Sequence, residues 1–246
     1  MFFPIGDDNR DRRITPIINY LLVAINILVF VFLQGCGTNQ KFTYAYSTVP
    51  AEIITGRDVV TPSKKYEDPN TGEIYTVYGL QPTPGSVYIT LITSMFMHGG
   101  IAHIFGNMLF LLIFGDNIEN RIGHFRYLIF YLVCGIIADF AHVYSTFIFN
   151  GNLFVPTLGA SGAISGVLGA YLLLYPTRKV KVIIFYFLSE VPAIVAIGIW
   201  FLFQIVSGLG LLGGGTGNSG VAYGAHIGGF IAGFILINFF KIGKKR

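Results

Sequence analysis

The sequence predicts an all-α membrane protein, a bundle of six transmembrane helices with a long outer loop between helices one and two. Charged residues occupy only 11% of the 246 positions and hydrophobic ones 53%, where ordinary soluble domains carry roughly 25% charged residues. The mean hydropathy is +0.66. Six apolar stretches recur, each close to the ~20 residues that a bilayer crossing needs. Clusters of Lys and Arg fall on a single side of the resulting six-span path. The chain is read as one membrane domain, 1–246, whose main solvent is the lipid bilayer. No nucleic-acid partner is expected.

The opening "MFFPIGDDNRDRR" is polar and basic, with no short apolar run leading to a small-residue cleavage site, so no signal peptide is expected. Span one is placed at 14–34. The segment 35–90 follows as the long outer loop, with charges of both signs. Spans two, three and four are placed at 96–115, 125–149 and 158–175. The stretch "VKVIIFYFLSE" at 180–190 is also apolar, but Glu190 and Pro192 assign it to the membrane interface and start span five near Val191. Span five is then 191–207. The glycine-rich "SGLGLLGGGTGNSG" at 207–220 is the most flexible connection, and span six is 221–241. No repeat or low-complexity tract interrupts this order. Cys36 and Cys134 fall at different depths, so no disulfide is expected and both thiols are read as inert.

Orientation follows from the basic residues. Arg10, Arg12 and Arg13 precede span one; Arg121 and Arg126 separate spans two and three; Arg178, Lys179 and Lys181 follow span four; Lys241, Lys244, Lys245 and Arg246 close the chain. All lie on one side, which puts both termini in the cytoplasm. The final "KKR" reads as an anchor to anionic head groups.

Spans two, four and six then all run inward, and each opens with polar residues: His98, His103 and Asn107 in the second, Ser161 in the fourth, His226 in the sixth. At 1.5 Å per residue these groups lie within roughly 15 Å of the outer helix ends. Polar groups inside spans are costly and usually face the bundle interior, where they mark functional sites. The small residues suggest how they meet. Residues 158–166, "LGASGAISG", give up bulk at Gly159, Gly162 and Gly166. Gly229 and Gly233 share a face with His226. Such spacing lets helix backbones approach closely in lipid, so that Ser161 can reach His226 as a nucleophile reaches its general base. His103 and Asn107, one turn apart, can donate hydrogen bonds to a developing oxyanion, as can the Ser161 amide near a helix N-terminus. Ser165 reads as a packing residue. Asp139 and His142, three residues apart in span three, read as a structural pair.

These residues resemble the rhomboid family of intramembrane serine proteases. The pattern H-x-x-x-N is matched by His103 and Asn107, G-x-S-G by Gly159, Ser161 and Gly162, and A-H-x-x-G-x-x-x-G by Ala225, His226, Gly229 and Gly233. The additional family histidine is matched by His98, and the E-x-R-x-G element by Glu119, Arg121 and Gly123. The stretches "PIGDDN" and "VPAEIITGRD" are similar to a bacterial branch, which implies a bacterial inner membrane. The resemblance implies a six-helix rhomboid bundle with Ser161 as nucleophile and His226 as base. It makes His103, Asn107 and the Ser161 amide the oxyanion hole, and His98 a supporting residue. Substrates would be single-span membrane proteins cut in or near the span on the outer side. Loop 208–220 and span five would form the lateral gate. No cofactor or metal is implied. The Trp-Arg pair that many members carry in the first long loop is absent. Where some members place a tyrosine on the catalytic histidine, this chain has Ser165, which leaves the partner that orients His226 open.

Two other readings compete: a proteolytically silent client-binding protein, and a transporter using His98, His103, His226 and Asp139 as a proton or metal path. The absence of an internal repeat and the one-sided polar cluster weigh against transport. A metalloprotease is excluded because "HGGIAH" lacks both the glutamate and the spacing of H-E-x-x-H.

Overall fold

The computed structural model describes residues 2–67, 72–184, 186–209 and 221–241. Most of the glycine-rich connection at 207–220 and the terminal "KKR" lie outside them. Strand β1 (Phe2–Asp7) leads to helix α1 (Ile17–Leu28), which continues through a π-helical turn to Leu33. The outer loop holds α2 (Gln40–Ala45), α3 (Pro50–Thr55), the antiparallel pair β2 (Lys64–Glu67) and β3 (Ile74–Val77), and α4 (Thr90–Thr93). Then come α5 (Ile101–Phe110), α6 (Asp116–Ile122), α7 (His124–Ile148) and α8 (Ser161–Leu174). Strands β4 (Lys179–Ile184) and β5 (Phe187–Pro192) precede α9 (Ala193–Gly208) and α10 (Tyr223–Phe240). Helices α5 and α6 form one unbroken helical segment, Ile101–Ile122, joined by a π-helical turn at Leu111–Gly115.

Every expected span thus contains an apolar helix. Ile101–Ile122, His124–Ile148 and Tyr223–Phe240 are each long and apolar enough to cross a bilayer, while those in spans one, four and five are shorter. The protein is an integral membrane protein of helical class. The second span starts five residues later than expected, because Met97 to Gly100 are not helical, and it runs on to Ile122. Its polar turn is used at the basic end of the bundle, where Glu119 accepts from the Ile18 and Asn19 amides at 3.0 and 2.7 Å. Those are orphan donors of the α1 N-terminus, so the cap of one helix is supplied by another.

The stretch 180–190, expected at the membrane interface, folds as paired strands. β4 pairs antiparallel with both β1 and β5. Val180 and Val182 are fully buried while Lys179 and Lys181 are exposed. That period-two alternation, hidden by the aromatic residues at the turn, is the strand signal.

Helix α8 is the central element: Gly162 to Tyr171 are all buried. A Cβ at Gly229 would overlap the carbonyl oxygen of Gly162, and one at Gly233 that of Gly166. On its other side Gly162 and Gly166 face Ala138 and Cys134 of α7. A bulkier stripe would hold these helices apart. With 14 residues, α8 covers about 21 Å, short of the ~30 Å hydrocarbon thickness. Its first residue is therefore recessed when its other end, beside Arg178, sits at the membrane surface.

Candidate active site

Ser161 is the first residue of α8 and His226 the fourth of α10. The glycine contacts between these helices bring Ser161 Oγ to 2.8 Å from His226 Nε2. Gly159, two residues before the serine, has φ +122°, a conformation that side chains rarely adopt. A Cβ there would stand 2.8 Å from His103 Nε2 and 3.7 Å from Asn107 Nδ2. Glycine thus lets His103 and Asn107 face the chain entering the serine turn.

Asn107 is buried, and its Nδ2 has no hydrogen-bond partner among the described residues. A buried donor without a protein partner is one that water or a ligand can satisfy. His103 Nδ1 accepts from the Gly99 amide at 3.3 Å. In a neutral imidazole this leaves the proton on Nε2, the atom facing Gly159. His98 is fully buried edge-on to His103, with ring centroids 5.2 Å apart. It lies in the non-helical link before α5 and not in the helix. Gln34 holds its backbone from both sides, accepting from its N–H and donating to its C=O, each at 2.9 Å. Among the described residues, both ring nitrogens of His98 lack partners.

The sequence reading missed Gln204. This α9 side chain is 5% exposed, and its Oε1 lies 2.7 Å from His226 Nδ1. The signal was present as a lone amide in the apolar run "AIVAIGIWFLFQIVSG". Trp200, one turn earlier, sets its indole 6.0 Å from the His226 ring. Ser165 packs within its helix, donating to the Ser161 carbonyl at 2.6 Å. Asp139 is not paired with His142. It accepts from Ser94 Oγ at 2.9 Å and Thr48 Oγ1 at 3.4 Å, while His142 lies beside Thr146. Residues three apart on a helix diverge by about 60°, and Asp139 turns toward the outer loop. Ser94 also accepts the Gly159 amide through its carbonyl at 2.9 Å, which ties that loop to the serine turn.

Fold and site together define a helical membrane protein with a half-buried serine–histidine pair between two closely packed helices and, beside it, polar groups without partners among the described residues. The chain belongs to the rhomboid family: the Rhomboid domain model matches residues 85–241. It is 29% identical over 221 residues to the rhomboid protease GluP of Bacillus subtilis, covering 89% of this chain and 34% of that protein. Identity is 31% to RHOMBOID-like protein 4 of Arabidopsis thaliana, covering 59% of this chain and 32% of the relative. It is also 31% to the mitochondrial RHOMBOID-like protein 6 of Arabidopsis thaliana, covering 94% of this chain and 69% of the relative. The chain spans about a third of the length of the first two.

Proposed function

We propose that this chain is an intramembrane serine protease that hydrolyses peptide bonds of single-span membrane proteins. Ser161 Oγ attacks the scissile carbonyl while His226 Nε2 takes its proton and passes it to the leaving amine. Water, activated by the same imidazole, then releases the acyl group. Asn107 Nδ2, His103 Nε2–H and the Ser161 amide stabilise the tetrahedral oxyanion. His98 supports His103. Six spans with both termini cytoplasmic set the site below the outer face of a bacterial inner membrane. Substrate enters laterally past α9. The observation that carries this reading is the 2.8 Å approach of Ser161 Oγ to His226 Nε2, in a member of a family whose named relatives include proteases.

The test is labelling of the detergent-purified protein with a serine-reactive fluorophosphonate, wild type beside Ser161→Ala and His226→Ala. Labelling of wild type alone supports the dyad. Labelling that survives Ser161→Ala removes it. Folded wild type that never labels, in detergent or in bilayers, favours the client-binding reading.

A further inference from the structure

We propose that Gln204 is the positioning residue of the base: its Oε1 accepts the Nδ1–H of His226 and so keeps the Nε2 lone pair directed at Ser161. This rests on the serine protease reading above.

A neutral imidazole offers one donor and one acceptor. Nε2 can take the serine proton only if the ring proton sits on Nδ1, and that tautomer needs an acceptor beside Nδ1. Oε1 of Gln204 is at 2.7 Å, in a side chain with almost no exposure. Among the described residues no carboxylate hydrogen-bonds to His226. Nor does the helix that carries the serine help, because Ser165 is spent on the Ser161 carbonyl. Trp200 flanks the ring but its indole cannot accept in the ring plane. The choice of an amide has a physical reason. A carboxylate within an apolar helix is expensive to bury, whereas an amide oxygen fixes the tautomer without a charge. The cost falls on catalysis, because an amide stabilises the imidazolium formed during attack less than a carboxylate does. Since Gln204 rides on α9, the base is oriented only while α9 is packed against α10.

A structural role would make the same hydrogen bond an interhelical tether and nothing more. The tautomer separates the two. The full chain, with ring-¹⁵N histidine, is examined in detergent micelles by NMR, His226 being assigned by loss of its signals in His226→Ala. Wild-type His226 is expected as the Nδ1–H tautomer. Gln204→Met is expected to shift it toward Nε2–H and to slow fluorophosphonate labelling about 100-fold, below the ~10⁴-fold seen when a charged partner is lost. Gln204→Glu keeps an acceptor and is expected to retain the tautomer and at least a tenth of the labelling rate. The proposal is overturned if wild-type His226 carries its proton on Nε2, a result that needs no variant to fold. It is equally overturned if folded Gln204→Met labels at the wild-type rate. Wild type that labels beside an unaffected Gln204→Met defeats this inference alone, whereas wild type that never labels defeats the protease reading beneath it.

Discussion

The two ends of this bundle treat buried polar groups in opposite ways. At the basic end most are paired, the buried Tyr131 hydroxyl being an exception among the described residues. Asn117 Nδ2 donates to Asp7 at 2.7 Å, Tyr171 donates to the same carboxylate at 2.6 Å, and Asp116 pairs with Arg12. Arg178 pairs with Asp11 and lies 3.9 Å over the Tyr175 ring. Glu119 caps α1 and Asn19 bonds both Leu111 and Tyr127. At the Ser161 end, Asn107 Nδ2 and both ring nitrogens of His98 have no partner among the described residues. Satisfied networks fix a structure; unsatisfied ones cost stability and are kept where a ligand completes them. Under the proposed function, the comparison assigns stability to one end and chemistry to the other.

The largest effects should separate the ends. Ser161→Ala or His226→Ala is expected to lower substrate cleavage by about 10⁴-fold or more, while the thermal midpoint in detergent moves by only a few degrees. Asn107→Ala is expected to lower kcat about 10²–10³-fold with little change in KM, since an oxyanion donor acts in the transition state. Its thermal midpoint should hold or rise, because an unpaired buried donor is removed. An Asn107→Ala enzyme with normal kcat would remove that residue from the site.

At the other end the pattern should invert. Glu119→Ala strands the Ile18 and Asn19 amides and is expected to cost roughly 3 kcal/mol, about 6–12 °C in the midpoint. Activity per folded molecule should be unchanged. A variant of full stability and reduced kcat would break the division between the ends.

The smallest effect concerns pH. Burial pushes the Asp7 carboxyl up from 3.8 to about 6; the nearby Asp116 charge adds to this, while the Tyr171 hydrogen bond, Arg178 and Arg12 pull it down. The folded protein therefore holds this proton more tightly than the unfolded chain. The resulting penalty is absent below about pH 4, grows between 4 and 6, and is complete above 6. Asp7→Asn should flatten that part of the stability–pH curve, by on the order of 1 kcal/mol between pH 5 and 7. Identical curves for the two proteins would show that Asp7 is ionised in both states.

Much of this was legible from local pattern. The apolar runs located the six helices, and the i, i+4 spacing put His103 and Asn107 on one face of α5. The small residues at 162, 166, 229 and 233 foretold the close approach of α8 and α10. The sheet was not read, because β4 alternates over only a few residues before the aromatic turn. The Asp139–His142 pair failed for another reason. Spacing along one helix cannot reveal that Ser94 and Thr48, from the outer loop, compete for the same carboxylate.

By itself, then, the sequence determined which segments form apolar helices, where along the chain the basic residues cluster, and which polar residues share a helix face. Each of these is set by neighbours within a turn or two or by the lipid around them. Only the tertiary structure decided who partners whom. Gln204 reaches His226 across 22 positions and Glu119 caps a helix about 100 positions away. Bonds of that kind depend on helix packing, which no local period encodes.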